Sequence, residues 1–246
     1  MDLQQLGEVD LPPMTSGLTS SWRAVMEISR QVPLENWALI GGQMVSLHGL
    51  LASTSPPRLS LDIDLLVHVL APQGALGKCS QLLREMDFRP EVDSTGHVYR
   101  FRSSNGGVID LLAPEGVPVA RLPLIRGGHT IRVDGGRQAL NRIAVVTVHL
   151  EGQRVDVPIP DLLGAVVLKS AAWAVDSRDR VRHSQDAAFL VSLMRDPRSE
   201  RARFGGSDRR RLHKLDSVLA DPNAREWVLL GAAATDGYLT WRTLLA

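Results

Sequence analysis

The chain has 246 residues, 44 % of them hydrophobic and 22 % charged, a composition that can bury a core and excludes disorder as the main state. Its length suits one large domain or two modest ones. Cys79 is the only cysteine, which excludes an internal disulfide framework, a thiolate zinc cluster and a paired-thiol redox motif, so any bound metal would be held by oxygen or imidazole. The longest uncharged apolar stretches, such as Leu162 to Leu168 and Trp227 to Ala234, fall short of the roughly 18 to 20 residues that span a bilayer. The amino terminus shows no basic region followed by an apolar run, so no membrane association and a cytoplasmic location are expected.

In chain order, residues 1–17 carry Pro12, Pro13 and Gly17 without a sustained period and read as an extended lead-in. A helix is predicted from Ser20 to about Val32, then a short buried strand, Trp37 to Ile40, entering a Gly41-Gly42 turn and a helix from Gln43 to about Leu51. After a loop at Ser53 to Pro57, Leu61 to His68 is the strongest strand, and Ala71 to Asp87 reads as a helix. His97 to Arg102 and Gly107 to Leu112 are predicted as strands joined by a hairpin turn at Ser103 to Gly106, with further strands at Thr130 to Val133, Ile143 to Leu150 and Arg154 to Val157. Beyond Pro158 the pattern turns helical, near 161–175, 180–194, 207–219 and 223–234, with Pro160 and Asp161 as start residues. The expected architecture is α+β: a mixed-sheet domain over 18–158 followed by a helical domain over 159–246.

Charge is unevenly placed. Between Arg195 and Lys214 there are eight basic residues against three acidic ones, a net +5 that leaves the rest of the chain at −4 within a total of +1. Such a run is either a solvated helix face or a surface for a phosphate backbone, and Arg209, Arg210 and Arg211 are its densest part.

The segment richest in chemistry is Arg58-Leu59-Ser60-Leu61-Asp62-Ile63-Asp64-Leu65-Leu66-Val67. On a strand Leu61, Ile63, Leu65 and Val67 would face one side, and Asp62 and Asp64 the other. Adjacent carboxylates repel, so an apolar strand carries them at a cost unless a cation compensates. Oxygen-only ligation suits Mg²⁺; the alternative is an edge strand with one wet face. Asp110, inside Val108-Ile109-Asp110-Leu111-Leu112, is a third carboxylate in an apolar strand and would converge with the other two if the strands are neighbours. Gly41 and Gly42, at a presumed helix start, allow close approach of backbone amides to a phosphate. Lys169 and Asp186 each fall on the inward face of a helix, where they either bridge the two helices or meet an anion.

With strand, Gly-Gly, helix, Asp-x-Asp and the later Asp110 in that order, the sequence resembles the nucleotidyltransferases related to DNA polymerase beta. More narrowly it is similar to the AbiEii and MenT group of bacterial toxins, through Leu39-Ile40-Gly41-Gly42, the segment Arg58 to Leu65, Val108-Ile109-Asp110, Asp161-Leu162-Leu163 to Lys169, and Asp186 to Leu190. Within that pattern Gln43 stands where the group has a small hydroxyl residue, and the gap from Gly42 to Asp62 is longer. Arg182 and His183 hold the first two positions of its Lys-Asp-x-x-Asp element.

The resemblance implies Mg²⁺ on Asp62, Asp64 and Asp110, with nucleotide held by Gly41, Gly42, Arg58, Ser60, Lys169 and Asp186. It implies transfer of a nucleoside monophosphate from a nucleoside triphosphate to an acceptor hydroxyl, catalysed by Asp62, Asp64, Asp110 and Lys169. RNA is the expected acceptor, the 3′ end of tRNA above all, with a possible antitoxin partner and RNA contacts at Arg209, Arg210 and Arg211. Two rival expectations are a nucleotidyltransferase acting on a small hydroxylated molecule and a non-catalytic binding module on the same scaffold.

Overall fold

In the computed structural model, which describes residues 3–70 and 74–246, the apolar runs of the first two thirds assemble into a mixed sheet flanked by helices. β1 (Gln4–Asp10) is followed by α1 (Ser16–Gln31), whose first turn is capped by the Thr15 hydroxyl accepting from the Leu18 amide at 3.3 Å. The residues read as a lead-in thus supply a strand and a cap. β2 (Trp37–Ile40), buried along its whole length, runs directly into α2 (Gly41–Leu51), and β3 (Ile63–Val67) follows a long loop. The strand expected from Leu61 starts two residues later, and Leu61 is exposed.

α3 (Ala75–Glu85) matches the helix expected from Ala71, whose first three residues lie outside the described ones. β4 (Arg89–Val92), β5 (Val98–Arg102) and β6 (Val108–Pro114) form a meander, and the short β7 (Leu124–Ile125), β8 (Gly128–His129), β9 (Arg132–Val133) and α4 (Gly136–Leu140) lead to β10 (Ile143–Leu150) and β11 (Gln153–Pro160). β4, β7, β8 and α4 have no counterpart in the sequence reading; each has five residues or fewer, too few to show a period.

The main sheet has the order β2-β3-β6-β5-β4, with β9 pairing the end of β6. β3 is therefore an inner strand, not the wet edge strand left open as an alternative. Its pairing with β6 is parallel and sets Asp64 opposite Asp110, while β2 is antiparallel to β3 with Ile40 opposite Asp64. One sheet face, carrying Leu39, Ile63, Leu65, Val67, Ile109 and Leu111, is buried in the large core with residues of α1 and α3. The other carries Ile40, Leu66 and Leu112 against Ala139 of α4 and Leu168.

A separate three-stranded sheet, β1-β10-β11, lies beside β2. β11 continues past the expected end at Val157 through Pro158 to Pro160, which was read as a helix start, so the sheet extends past the boundary drawn near residue 158. An edge strand can hold prolines where the missing N–H would face away from the ladder.

The remainder is helical: α5 (Leu162–Val175), α6 (Arg180–Ser192), α7 (Pro197–Ala202), α8 (Asp208–Leu219), α9 (Arg225–Val228) and α10 (Ala234–Leu245). Asp161 caps α5 by accepting from the Gly164 amide at 2.8 Å. The helix expected over 223–234 is only the short α9 and a following turn, and the longer α10 comes after it, burying Trp241, Leu244 and Leu245. α5 packs on α6 and α8, and its Lys169 side faces the second face of the sheet. Among the described residues no helix is long and apolar enough to cross a membrane.

Candidate active site

A cleft of about 270 Å³ opens between that sheet face and α5 and α6. Into it the fold brings nearly all the residues singled out from sequence: Gly41 and Gly42 at the start of α2, Arg58, Ser60 and Asp62 from the loop before β3, Asp64 from β3, Asp110 from β6 and Lys169 from α5. Asp186 is not in the wall. It is 1 % exposed and lies behind the cations, receiving Lys169 Nζ at 2.7 Å and the Arg58 guanidinium at 2.9 and 3.2 Å. Lys169 thus bridges α5 to α6 and also lines the cleft. Burial alone would push the Asp186 carboxyl up, but the charges of Lys169 and Arg58 outweigh it and hold its pKa below the ordinary value.

The three carboxylates differ in what they touch. Asp62 is half exposed and accepts from the Ser60 hydroxyl at 2.9 Å. Asp110 is gripped by Arg100 of β5, Nε to Oδ1 at 2.9 Å and Nη2 to Oδ2 at 2.7 Å. Asp64 forms no side-chain hydrogen bond or ion pair with any described residue. Burial, and then the charges of Asp62 and Asp110, push its pKa up to about 7 against the opposing pull of Lys169 and Arg182. An unpartnered carboxylate among other carboxylates is a place where a cation would be stabilised.

Gly41 makes room for it. A Cβ there would stand 1.8 Å from Asp64 Oδ2, and Gly41 has φ +69°, which side-chain-bearing residues rarely adopt. At Gly42 a Cβ would lie 2.4 Å from the Ser60 hydroxyl. The first amides of α2 have no side-chain cap, which leaves them open to an anion in the cleft. Gly41→Ala is therefore expected to lower stability by about 1 to 2 kcal/mol from the backbone alone, and more if Asp64 cannot move aside. Urea denaturation beside Gly77→Ala, an exposed position of α3 where a Cβ meets nothing, measures it; an unchanged midpoint for Gly41→Ala would show that α2 starts in some other conformation.

Three titratable wall residues were not assigned to the site from sequence: Arg100, Arg182 and His183. His183 and Arg182 both pair with Asp176, at 3.0 and 3.1 Å, and the backbone amides of Asp179 and Arg178 hold the Asp176 carboxyl below its ordinary range. Burial and the nearby Lys169 charge push the His183 pKa down to about 4. Gln43, at the position of a small hydroxyl residue in the resembling group, is not in the cleft wall. Its amide accepts from the Trp22 indole at 3.3 Å and donates to the Ser60 carbonyl, which ties the loop down.

The residues present fit a hard divalent cation at Asp62 and Asp64, since the donors are all oxygen and Asp64 is without a partner. At Asp110 Arg100 already supplies the positive charge, and among the described residues no three Asp, Glu, His or Cys side chains stand together as a ready metal cluster. The arginine trio is divided. Arg209 and Arg210 are exposed, while Arg211 turns inward to Glu115 at 3.0 Å and Gln138 at 2.8 Å. Arg209 lies with Arg198, Arg201 and Arg242 around a concavity of about 690 Å³ formed by α7, α8 and α10.

No family model matches the chain, and no curated protein matches its sequence. Its fold is similar to the crystal structure of an antigenic nucleotidyltransferase-like protein from Paracoccidioides brasiliensis, with a TM-score of 0.51 and 18 % identity over 91 % of this chain and 95 % of that one. The chain thus has a nucleotidyltransferase-like fold, with a sheet domain and appended helices.

Proposed function

We propose that the protein is a nucleotidyltransferase that moves a nucleoside monophosphate from a nucleoside triphosphate to an acceptor hydroxyl, with release of pyrophosphate. The observation that carries this reading is the division of the cleft. One wall presents Asp62, Asp64 and Asp110, and the facing side presents Lys169 and Arg58 above a buried Asp186. Asp62 and Asp64 would hold Mg²⁺, which when bound supplies charge stabilisation for the phosphate oxygens.

The chain's own groups do the rest. Lys169, anchored by Asp186, and Arg58 neutralise a polyphosphate, and the open amides of Gly41 and Gly42 donate to it together with the Ser60 hydroxyl. Asp110, the third carboxylate of the cleft, would receive the proton of the acceptor hydroxyl.

For the acceptor we propose RNA, with the 3′ end of tRNA first, and for the protein the role of toxin with a cognate antitoxin. The similarity to the AbiEii and MenT group supports both, and the exposed Arg209 and Arg210 support a phosphate-backbone contact. A small hydroxylated acceptor is a second reading, favoured by an apolar groove of about 400 Å³ between Leu11–Leu18, α2 and the loop carrying Leu59, Ser60 and Leu61.

The test incubates the protein with Mg²⁺ and each labelled nucleoside triphosphate, with and without total tRNA. Label passing to tRNA from one or two nucleotides is the expected result. Label found only on small hydroxylated compounds would replace RNA by the second reading, and no transfer to either, with no nucleotide binding, would leave the scaffold without this activity. In the same assay Arg209→Ala with Arg210→Ala is expected to weaken RNA binding and reduce its salt slope by about two units, one per lost phosphate contact. An unchanged slope would return both residues to the solvated surface.

A further inference from the structure

We infer that Arg100 is a resident counter-cation: it occupies the place of a second metal ion at Asp110, and that place opens only when the guanidinium leaves. This rests on the proposed metal-dependent reading of the cleft. Four cationic side chains line the cleft, and three of them pair with carboxylates outside the triad, Arg58 and Lys169 with Asp186 and Arg182 with Asp176. Arg100 alone pairs with members of the triad. It holds Asp110 by a two-point fork at 2.7 and 2.9 Å and reaches to 3.9 Å from Asp62 Oδ2.

The position is set by the sheet, because Arg100 is directly opposite Asp110 in the antiparallel β5–β6 pair. A guanidinium that binds both oxygens of a carboxylate and leans toward a second one does there what a metal would do: it relieves repulsion among carboxylates. It keeps its charge at any working pH, so it leaves by exchange and not by deprotonation.

The Lys169–Asp186 and Arg100–Asp110 pairs also differ in how they can come apart. Lys169 is 4 % exposed in its side chain and Asp186 1 %, so parting them would leave Asp186 buried and Lys169 with only its cleft-facing tip near water. Arg100 is 35 % exposed in its side chain while Asp110 is 7 %, so the guanidinium can swing out and leave its carboxylate to another cation. A divalent ion on Asp110 beside the bound guanidinium would face a like charge within a few ångströms, so the two exclude each other. A bound polyphosphate changes the balance by offering Arg100 a new anion. Arg100 is in this sense a positioning residue that couples the second cation to the nucleotide.

Mn²⁺ binding, followed by calorimetry and by the electron-spin signal of the free ion, tests this on the purified full chain. Wild type is expected to bind one Mn²⁺ without nucleotide and a second only with a non-hydrolysable nucleoside triphosphate analogue. Arg100→Gln is expected to bind the second ion without nucleotide, at least about tenfold more tightly than wild type does. Arg100→Lys, which keeps charge but loses the fork, should fall between them and serves if the Gln variant does not fold.

If both variants bind Mn²⁺ with the wild-type stoichiometry and affinity while Asp64→Asn loses the first ion, the inference about Arg100 fails and the metal reading of the cleft stands. Weaker binding in both folded variants would make Arg100 a support for the site and also overturn the inference. No Mn²⁺ binding to any form, with or without nucleotide, would remove the metal-dependent reading and the inference with it.

Discussion

Asp64→Asn is expected to lower transferase activity at least about a thousandfold, to the level of background, while the metal-free protein at pH 8 melts at or above the wild-type temperature. Asp64 is raised from an ordinary 3.8 to about 7 by burial and by Asp62 and Asp110. A carboxyl whose folded pKa lies above its unfolded one stabilises the fold most when protonated, and loses that contribution as pH rises through the folded pKa. Metal-free wild type should therefore become less stable between about pH 4 and pH 7, by at most about 4 kcal/mol, and the Asn variant should lack this part of the profile. Mg²⁺ with nucleotide should raise the wild-type melting temperature and barely move the mutant. A mutant that melts well below wild type at pH 8, and keeps both activity and the ligand-induced increment, would make Asp64 a structural residue.

The largest effect on stability is expected at Asp186. Its removal leaves Lys169 buried without a counter-ion and frees Arg58, so Asp186→Ala should cost about 3 to 5 kcal/mol in urea denaturation. Removing both partners should cost far less. In Asp186→Leu with Lys169→Met an apolar pair replaces the bridge, and more than half of the loss should be recovered even though nucleotide binding is gone. A single Ala variant within 1 kcal/mol of wild type would mean that Lys169 reaches water in the absence of nucleotide.

The site was legible where its signal is local. Gly41 and Gly42 follow directly on one buried strand and Asp62 and Asp64 stand at the start of its neighbour, each pair marked by its own short motif, and the fold only had to bring Asp110 alongside. Arg100 was not legible, and the reason is register. A turn drawn over Ser103 to Gly106 pairs Arg100 with Ile109, on the wrong face. In the structure Ser103 and Gly107 close the hairpin, with Gly106 at φ +87°, and Arg100 moves opposite Asp110.

Asp186 was placed on the right helix face, but its second partner, Arg58, arrives from a loop 128 residues away that no period announces. The helical part shows the converse. Asp196-Pro197 is a helix start, and Gly237, Trp241 and Leu244 repeat at helical spacing. Both signals lie in the sequence, but the first falls inside the arginine run and the second beyond the helix expected over 223–234.

The pairing of β1 with β10 bears on the order of assembly during synthesis. β1 ends at Asp10, and the strand it lies against begins at Ile143. At about 5 to 20 residues per second, roughly 7 to 27 seconds separate the emergence of the two. Through that interval β1 is a strand with nothing to pair with, and long-range pairing of this kind slows folding. Its composition suits the wait: Gln4, Gln5, Glu8 and Asp10 are exposed even in the finished sheet, and Val9 is its only buried side chain. A nascent segment with two acidic groups and so little apolar surface is a poor template for intermolecular strand addition, and it remains available until its partner arrives.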